Sequence, residues 1–179
     1  MRVEDDELKA SPSRLVAPRG QSNAVEEPPT LVSSLVGGLV SPAAIRASVT
    51  EYDGRDEAAT AWTVYAVTGT ALAYVDVAFD QRDYTLEVER DVPMYRGQYA
   101  NATVRAAWVR PLHRITELTI GERGLTEHGR WVFAAKVWFA DVAEPVALPD
   151  QTRIYNEHQL DRVDALLHAI RDAIGAAPG

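Results

Sequence analysis

Residues 60–79 read TAWTVYAVTGTALAYVDVAF, two runs rich in β-branched and aromatic residues separated by Gly69-Thr70. Trp62, Val64, Tyr65 and Val67 lie in the first run; Leu72, Tyr74, Val75 and Val77 lie in the second. Such residues fit a pleated surface, and a two-residue break containing glycine between two such runs marks a β-hairpin. The expected pair is Thr60–Thr68 with Ala71–Phe79.

Working outward, Ile45–Thr50 reads as a short strand followed by the turn pair Asp53-Gly54. On the other side, residues 80–83 form a polar turn. Tyr84 to Glu89 then alternates, with Tyr84, Leu86 and Val88 against Thr85, Glu87 and Glu89, which predicts a strand. Pro93 to Gly97 breaks the pattern. Strands follow at Ala102–Val109, ended by Pro111, and at Ile115–Ile120. Glu122-Arg123-Gly124 and His128-Gly129 bracket a connection. Trp131–Val142 is apolar on both faces, as in a central strand or one that packs against a helix. Pro145 and Pro149 end the sheet region.

From Glu157 to Ile174 the apolar positions Leu160, Val163, Leu167, Ile170 and Ile174 recur at intervals of three and four. Leu166 widens the stripe; Asp161, Arg162, Asp164, Arg171 and Asp172 face away. This is an amphipathic helix, and Gly175 stands where a C-terminal stop belongs. The spacing also suits a dimer seam, but about two and a half heptads are short for a coiled coil, so the stripe is expected to pack on the sheet. The fold class is therefore α+β: mainly antiparallel β, a partly open barrel or strongly bent sheet, capped by a C-terminal amphipathic helix.

Residues 1–30 contain no aromatic side chain and hold Ser11-Pro12-Ser13, Pro18-Arg19-Gly20 and Glu26-Glu27-Pro28-Pro29. That composition predicts a flexible or loosely docked tail. Residues 31–43 combine Leu31, Leu35 and Leu39 at helical spacing with Gly37-Gly38 and Pro42, which predicts a short helix or an apolar strap. Residues 44–174 form the expected β-domain with its helix at 157–174.

A chain of 179 residues with 46% hydrophobic and 25% charged residues has enough apolar material for a core. The absence of cysteine excludes disulfides, thiolate metal sites and cysteine nucleophiles. The start is acidic (Glu4, Asp5, Asp6, Glu7), the wrong charge for an export signal. The apolar stretch Leu31–Val40 is half the roughly twenty residues that a membrane span needs. A cytoplasmic location without membrane insertion is expected. The net charge of −8 keeps the chain soluble and repels nucleic acid on average. Lys9 and Lys136 are the only lysines, an arginine bias that matches GC-rich bacterial coding.

The order of elements resembles the small bacterial PH-like (GRAM-like) domains. The resemblance is carried by the hairpin 62–79, by Trp108-Val109-Arg110-Pro111-Leu112-His113-Arg114-Ile115-Thr116-Glu117-Leu118 as a strand-entry pattern, and by the strand Trp131–Phe139 and the closing helix. It covers residues 44–174. It implies a partly open barrel of two near-orthogonal sheets with a helical cap, and a binding or scaffolding role. The chain departs from the pattern at Thr68-Gly69-Thr70, where no basic hairpin offers a phosphoinositide headgroup a seat.

Catalytic signatures are few. No glycine-rich phosphate loop and no G-x-S-x-G occurs. His113, His128, His158 and His168 form no metal-binding pattern, and Asp53, Asp56 and Glu57 lack EF-hand spacing. No metal, cofactor or catalytic residue is expected. Arginine is dense in the middle, at Arg90, Arg96, Arg105, Arg110, Arg114, Arg123 and Arg130, interleaved with Tyr95, Tyr99, Trp108 and Trp131. The bland account pairs them across strands with Glu87, Glu89, Glu117 and Glu122. The sharper account makes Arg96, Tyr99, Arg105, Trp108, Arg110 and Arg114 a binding face, for protein or, against the net charge, for single-stranded nucleic acid. The leading expectation is a non-catalytic protein-interaction or scaffolding module, with a homodimer as one form of partnership. The alternative is a small-ligand binder or enzyme whose site is assembled across strands from residues such as Asp76, Tyr84, Arg105 and His113.

Overall fold

The structure, a computed structural model, describes residues 17–18, 25–91, 100–154 and 157–175. In chain order the elements are β1 (Ala17–Pro18), β2 (Val25–Glu26), α1 (Thr30–Leu39), β3 (Ala47–Asp53), β4 (Thr60–Val67), β5 (Ala71–Phe79), α2 (Leu86–Asp91), β6 (Ala102–Pro111), β7 (Ile115–Leu125), β8 (Trp131–Phe139), β9 (Val146–Ala147) and α3 (Glu157–Gly175). Short 3-10 turns occupy Pro42–Ala44, Leu112–Arg114 and Gln151–Arg153. Strands β3-β4-β5-β6 form one antiparallel sheet, β7-β8-β9 a second, and β1 pairs with β2. The fold is α+β, with two antiparallel sheets, no closed barrel among the described residues, and a C-terminal helix.

The β4–β5 hairpin turns at Gly69-Thr70, where the Thr68 hydroxyl accepts hydrogen bonds from the N–H groups of Thr70 and Ala71. Both faces of this hairpin are apolar, so each needs a cover. On the outer face Trp62, Val64, Ala66, Ala73, Val75, Val77 and Phe79 pack with Val32 and Val36 of α1 and with Tyr84. On the inner face Tyr65, Val67 and Leu72 join Val137 and Phe139 of β8 and Val163, Leu166, Leu167 and Ile170 of α3. The α3 stripe packs on the first sheet, as its spacing predicts, in a core that it shares with β8 of the second. In α1 the buried residues are Val32 and Val36, one position round from the leucine row, while Leu31, Leu35 and Leu39 are partly buried beside them.

Tyr84–Glu89 is not a strand. The chain turns at Asp83, whose φ of 52° is left-handed. Tyr84 is buried against the Phe79 ring, and its carbonyl accepts from Trp62 Nε1 at 2.8 Å. The Thr85 hydroxyl then accepts from the Val88 N–H, in the manner of an N-cap, and starts α2. Glu87 and Glu89 stand in its first turn, where the helix dipole favours acids. Six alternating residues were too few for the period to outweigh the cap. Two further boundaries move. Strand β7 continues to Leu125 through bulges at Ile115/Glu117 and Ile120/Arg123, so the expected break at residues 122–124 is a bulged strand. Strand β8 ends at Phe139, and its first residue, Trp131, is 64% exposed, so the strand is not covered along its whole length. The expected break at Pro93 to Gly97 lies outside the described residues.

Arg130 fastens the second sheet to the helix. Its guanidinium donates to Glu157 and Asp161 at 2.8 Å and to Asp164 at 2.6 Å. Asp164 also accepts from Gln151 Nε2, and Gln151, itself buried, accepts from the Phe133 N–H. The acids that the helical pattern turns toward solvent are therefore held by one cation at the start of β8. Removing that cation leaves three carboxylates crowded on one helical face and Asp164 half-stripped of partners. Arg130→Met is expected to lower stability by about 1–3 kcal/mol, read as an earlier urea midpoint with an unchanged slope.

Candidate functional site

Register across the first sheet builds a polar row that no local motif announces. Glu51 on β3 pairs with Thr63 on β4, and Thr63 pairs with Asp76 on β5. On β6 the pairing slips: Asp76 faces Ala106, Val77 faces Val104, and Arg105 is the extra residue of a bulge. Bulges re-aim side chains, and here the Arg105 guanidinium comes to 3.8 Å from Asp76 Oδ1. The next row along the same face is Val49, Tyr65, Tyr74 and Trp108. Tyr65 and Tyr74 meet edge to face with ring centres 5.1 Å apart, and Tyr74 stacks on Trp108 at the same separation.

The electrostatics of this row are unbalanced. Burial first, then the charges of Asp150 and Asp53, push the Glu51 carboxyl up to about 7. Burial also raises the Asp76 carboxyl, with Arg105 opposing. The Tyr65 hydroxyl is raised by burial, then by Glu51, Tyr74 and Asp76; the Tyr74 hydroxyl is raised by burial, Asp76 and Glu51. Asp53 is the exception, held low chiefly by its hydrogen bond from Arg55. Asp76 Oδ1 is buried without a hydrogen bond among the described residues.

Of the sequence-expected binding face, Arg96 and Tyr99 lie outside the described residues. Arg105, Trp108 and Arg110 stand on β6 and Arg114 in the 3-10 corner that follows it. The Arg110 guanidinium lies 4.3 Å from the centre of the Trp108 ring and 5.2 Å from that of Phe139, so this pair closes the rim of the inner core. Arg114 faces Asp141 at 3.8 Å. The arginines that pair do so with Asp76, Asp141 and the α3 acids rather than with Glu87, Glu89, Glu117 or Glu122. Of the cross-strand group Asp76, Arg105, His113 and Tyr84, the first two meet. Tyr84 belongs to the outer-face core, and His113 sits in the corner after β6.

The sequence reading missed Glu51, Tyr65 and Tyr74 as site residues. Half of the signal was present: a two-residue turn at Gly69-Thr70 sets Thr63 opposite Asp76 and Tyr65 opposite Tyr74. The partner of Thr63 on β3 follows only once the longer β3–β4 loop is known. No protein-family model matches the chain, and no curated protein or solved structure matches it. No group of three or more His, Asp or Glu side chains able to hold a metal ion occurs among the described residues, and no helix there is long and apolar enough to cross a membrane.

Glu51 makes stability depend on pH. Its folded-state value of about 7 stands above the unfolded value of 4.5, so between these limits the folded chain binds more protons than the unfolded one. Stability therefore falls as pH rises from about 4.5 to 7, and the cost is complete above pH 7. Among the described residues Asp150 and Asp53 act on its charge, and Tyr65 and Tyr74 feel it in turn. Glu51→Gln is expected to flatten this part of the stability profile and to stabilise the protein at pH 8 by on the order of 2 kcal/mol. Chemical denaturation at pH 5 and pH 8 measures both; an unchanged pH slope in the variant would contradict the assignment.

Proposed function

We propose that this chain is a non-catalytic protein-interaction module of the PH-like kind, and that it receives an extended acidic segment of a partner along a free sheet edge, that of β6 or that of β7. One observation carries the reading. The ten-residue β6 ends the first sheet and the eleven-residue β7 ends the second, and among the described residues no strand pairs with either outer edge. A long unpaired edge is a template for another strand, and adding one is a standard mode of peptide recognition.

The side chains along this edge suit such a guest. Val104, Val109, Ile120 and Leu125 are between 42% and 63% exposed. Residues 102–125 carry four arginines (Arg105, Arg110, Arg114, Arg123) against two glutamates, in a chain whose net charge is −8. This local reversal of sign favours an acidic segment over a basic one. It also disfavours a second copy of the same edge, which would set arginine near arginine. The four-plus-three strand order and the α3 stripe in the inner-face core support the PH-like part of the reading.

Fluorescence polarisation with three labelled probes tests it: an alternating Val-Glu peptide, an alternating Val-Lys peptide and a single-stranded DNA oligomer. Saturable binding of the Val-Glu peptide is expected, at least about tenfold tighter than the Val-Lys peptide and weakened by salt. Val109→Glu and Arg114→Glu, both at exposed positions, are expected to lose that binding with unchanged circular dichroism. Equal binding of the two peptides, or preferential binding of the oligomer, would overturn the proposal.

A further inference from the structure

An acidic segment of the kind that a free β6 edge would receive is present in this chain. Glu4-Asp5-Asp6-Glu7 is its longest run of acids. Residues 92–116 are its longest stretch without an acid; they carry Arg96, Arg105, Arg110 and Arg114, and β6 lies within them. We infer that residues 3–8 add to the β6 edge of their own chain as a further strand, and that a partner's acidic segment binds by displacing them. This rests on the reading of that edge as a receptor for an acidic strand, and it names the resting occupant.

The arginines at this edge are loosely engaged. Arg105 and Arg114 stand 3.8 Å from Asp76 and Asp141, and their side chains are 54% and 47% exposed. Side chains alternate along a strand, so four successive acids put two carboxylates on each face whichever register they take. Two therefore fall on the side of Arg105 and Arg110, where opposite charges on neighbouring strands stabilise. Val3 and Leu8 fall on opposite faces, so one of them meets Val104 and Val109, which pair with Val77 and Ala73 of the outer-face core. The segment can also reach. β1 lies against β3, at the far edge of the sheet. Three strand spacings, about 14 Å, separate β3 from β6, and residues 9–16 can bridge about 30 Å between Leu8 and Ala17. Tethering presents the segment at a roughly millimolar effective concentration, which favours it over the same segment of a second copy in dilute solution. A long apolar edge is, besides, one that proteins cover.

Three full-length proteins test it: the native chain, a tail variant with Glu4→Gln, Asp5→Asn, Asp6→Asn and Glu7→Gln, and a control variant with Asp56→Asn, Glu57→Gln, Glu127→Gln and Glu144→Gln. The control makes the same change of net charge at exposed positions elsewhere. Two readouts are taken on each, the affinity of the labelled Val-Glu peptide and the hydrogen exchange of the β6 amides. The tail variant is expected to bind the peptide at least about threefold tighter than the other two and to exchange its β6 amides faster, with unchanged circular dichroism. Equal affinity in all three proteins, or equal exchange of β6, sinks the self-occupied edge and leaves the edge itself as a receptor. Failure of the peptide to bind any of the three, the tail variant included, removes the receptor reading and this inference with it. Sedimentation reports the remaining outcome: a native dimer that the tail variant loses would assign the segment to a second copy and overturn the contact within one chain.

Discussion

The rest of the structure follows from the β4–β5 hairpin having no polar face at its centre. Trp62, Val64, Val75 and Val77 point one way, and Tyr65, Val67 and Leu72 the other. Each apolar face left in water would cost on the order of 25 cal/mol per Å², so a single sheet cannot stand alone. The chain meets the demand with different devices on the two sides. A short helix and a buried tyrosine cover the outer face; a second sheet and the long C-terminal helix cover the inner one. Trp62, wholly buried and hydrogen-bonded to the Tyr84 carbonyl, ties the outer cover to the sheet.

Polar groups collect where this cover ends. The inner face is apolar from Val67 and Leu72 to Tyr65, then turns polar at Glu51, Thr63 and Asp76. Carboxylates beside a core lose water without gaining partners, which is why the Glu51 carboxyl is pushed toward neutrality. Arg130 shows the opposite arrangement. There a single guanidinium gathers three acids of α3 and joins them to Gln151. One cluster is satisfied and structural. In the other, Asp76 Oδ1 is left without a donor among the described residues.

The hairpin and α3 were legible in the sequence because each carries a complete period: two strand-like runs around Gly69-Thr70, and apolar residues at every third or fourth position from Leu160 to Ile174. The reading failed where a local device outweighed a short period. Tyr84–Glu89 alternates, but the Thr85 cap and the turn at Asp83 make a helix of it. The role of Arg130 was hidden because its partners lie 27 to 34 residues away on another element. The polar row was hidden for a related reason. Its members are scattered over four strands, and one of them, Arg105, reaches it through a bulge that strict alternation excludes.

The two cores also differ in when they can be completed. The outer-face core is built from residues between Val32 and Tyr84, all contiguous in the chain. The inner-face core needs Val49 and Tyr65 to meet Val163 and Ile170, 98 to 121 residues later. As the chain leaves the ribosome, α1 and the first strands have what they need to close early. The inner face of the same sheet stays bare until β8 and α3 are made and dock on it. Long-range contacts form late, and a bare apolar sheet is a site for misassembly in the interval. Docking of α3 is thus the step that covers the inner face, and the Arg130 ion pairs hold it there.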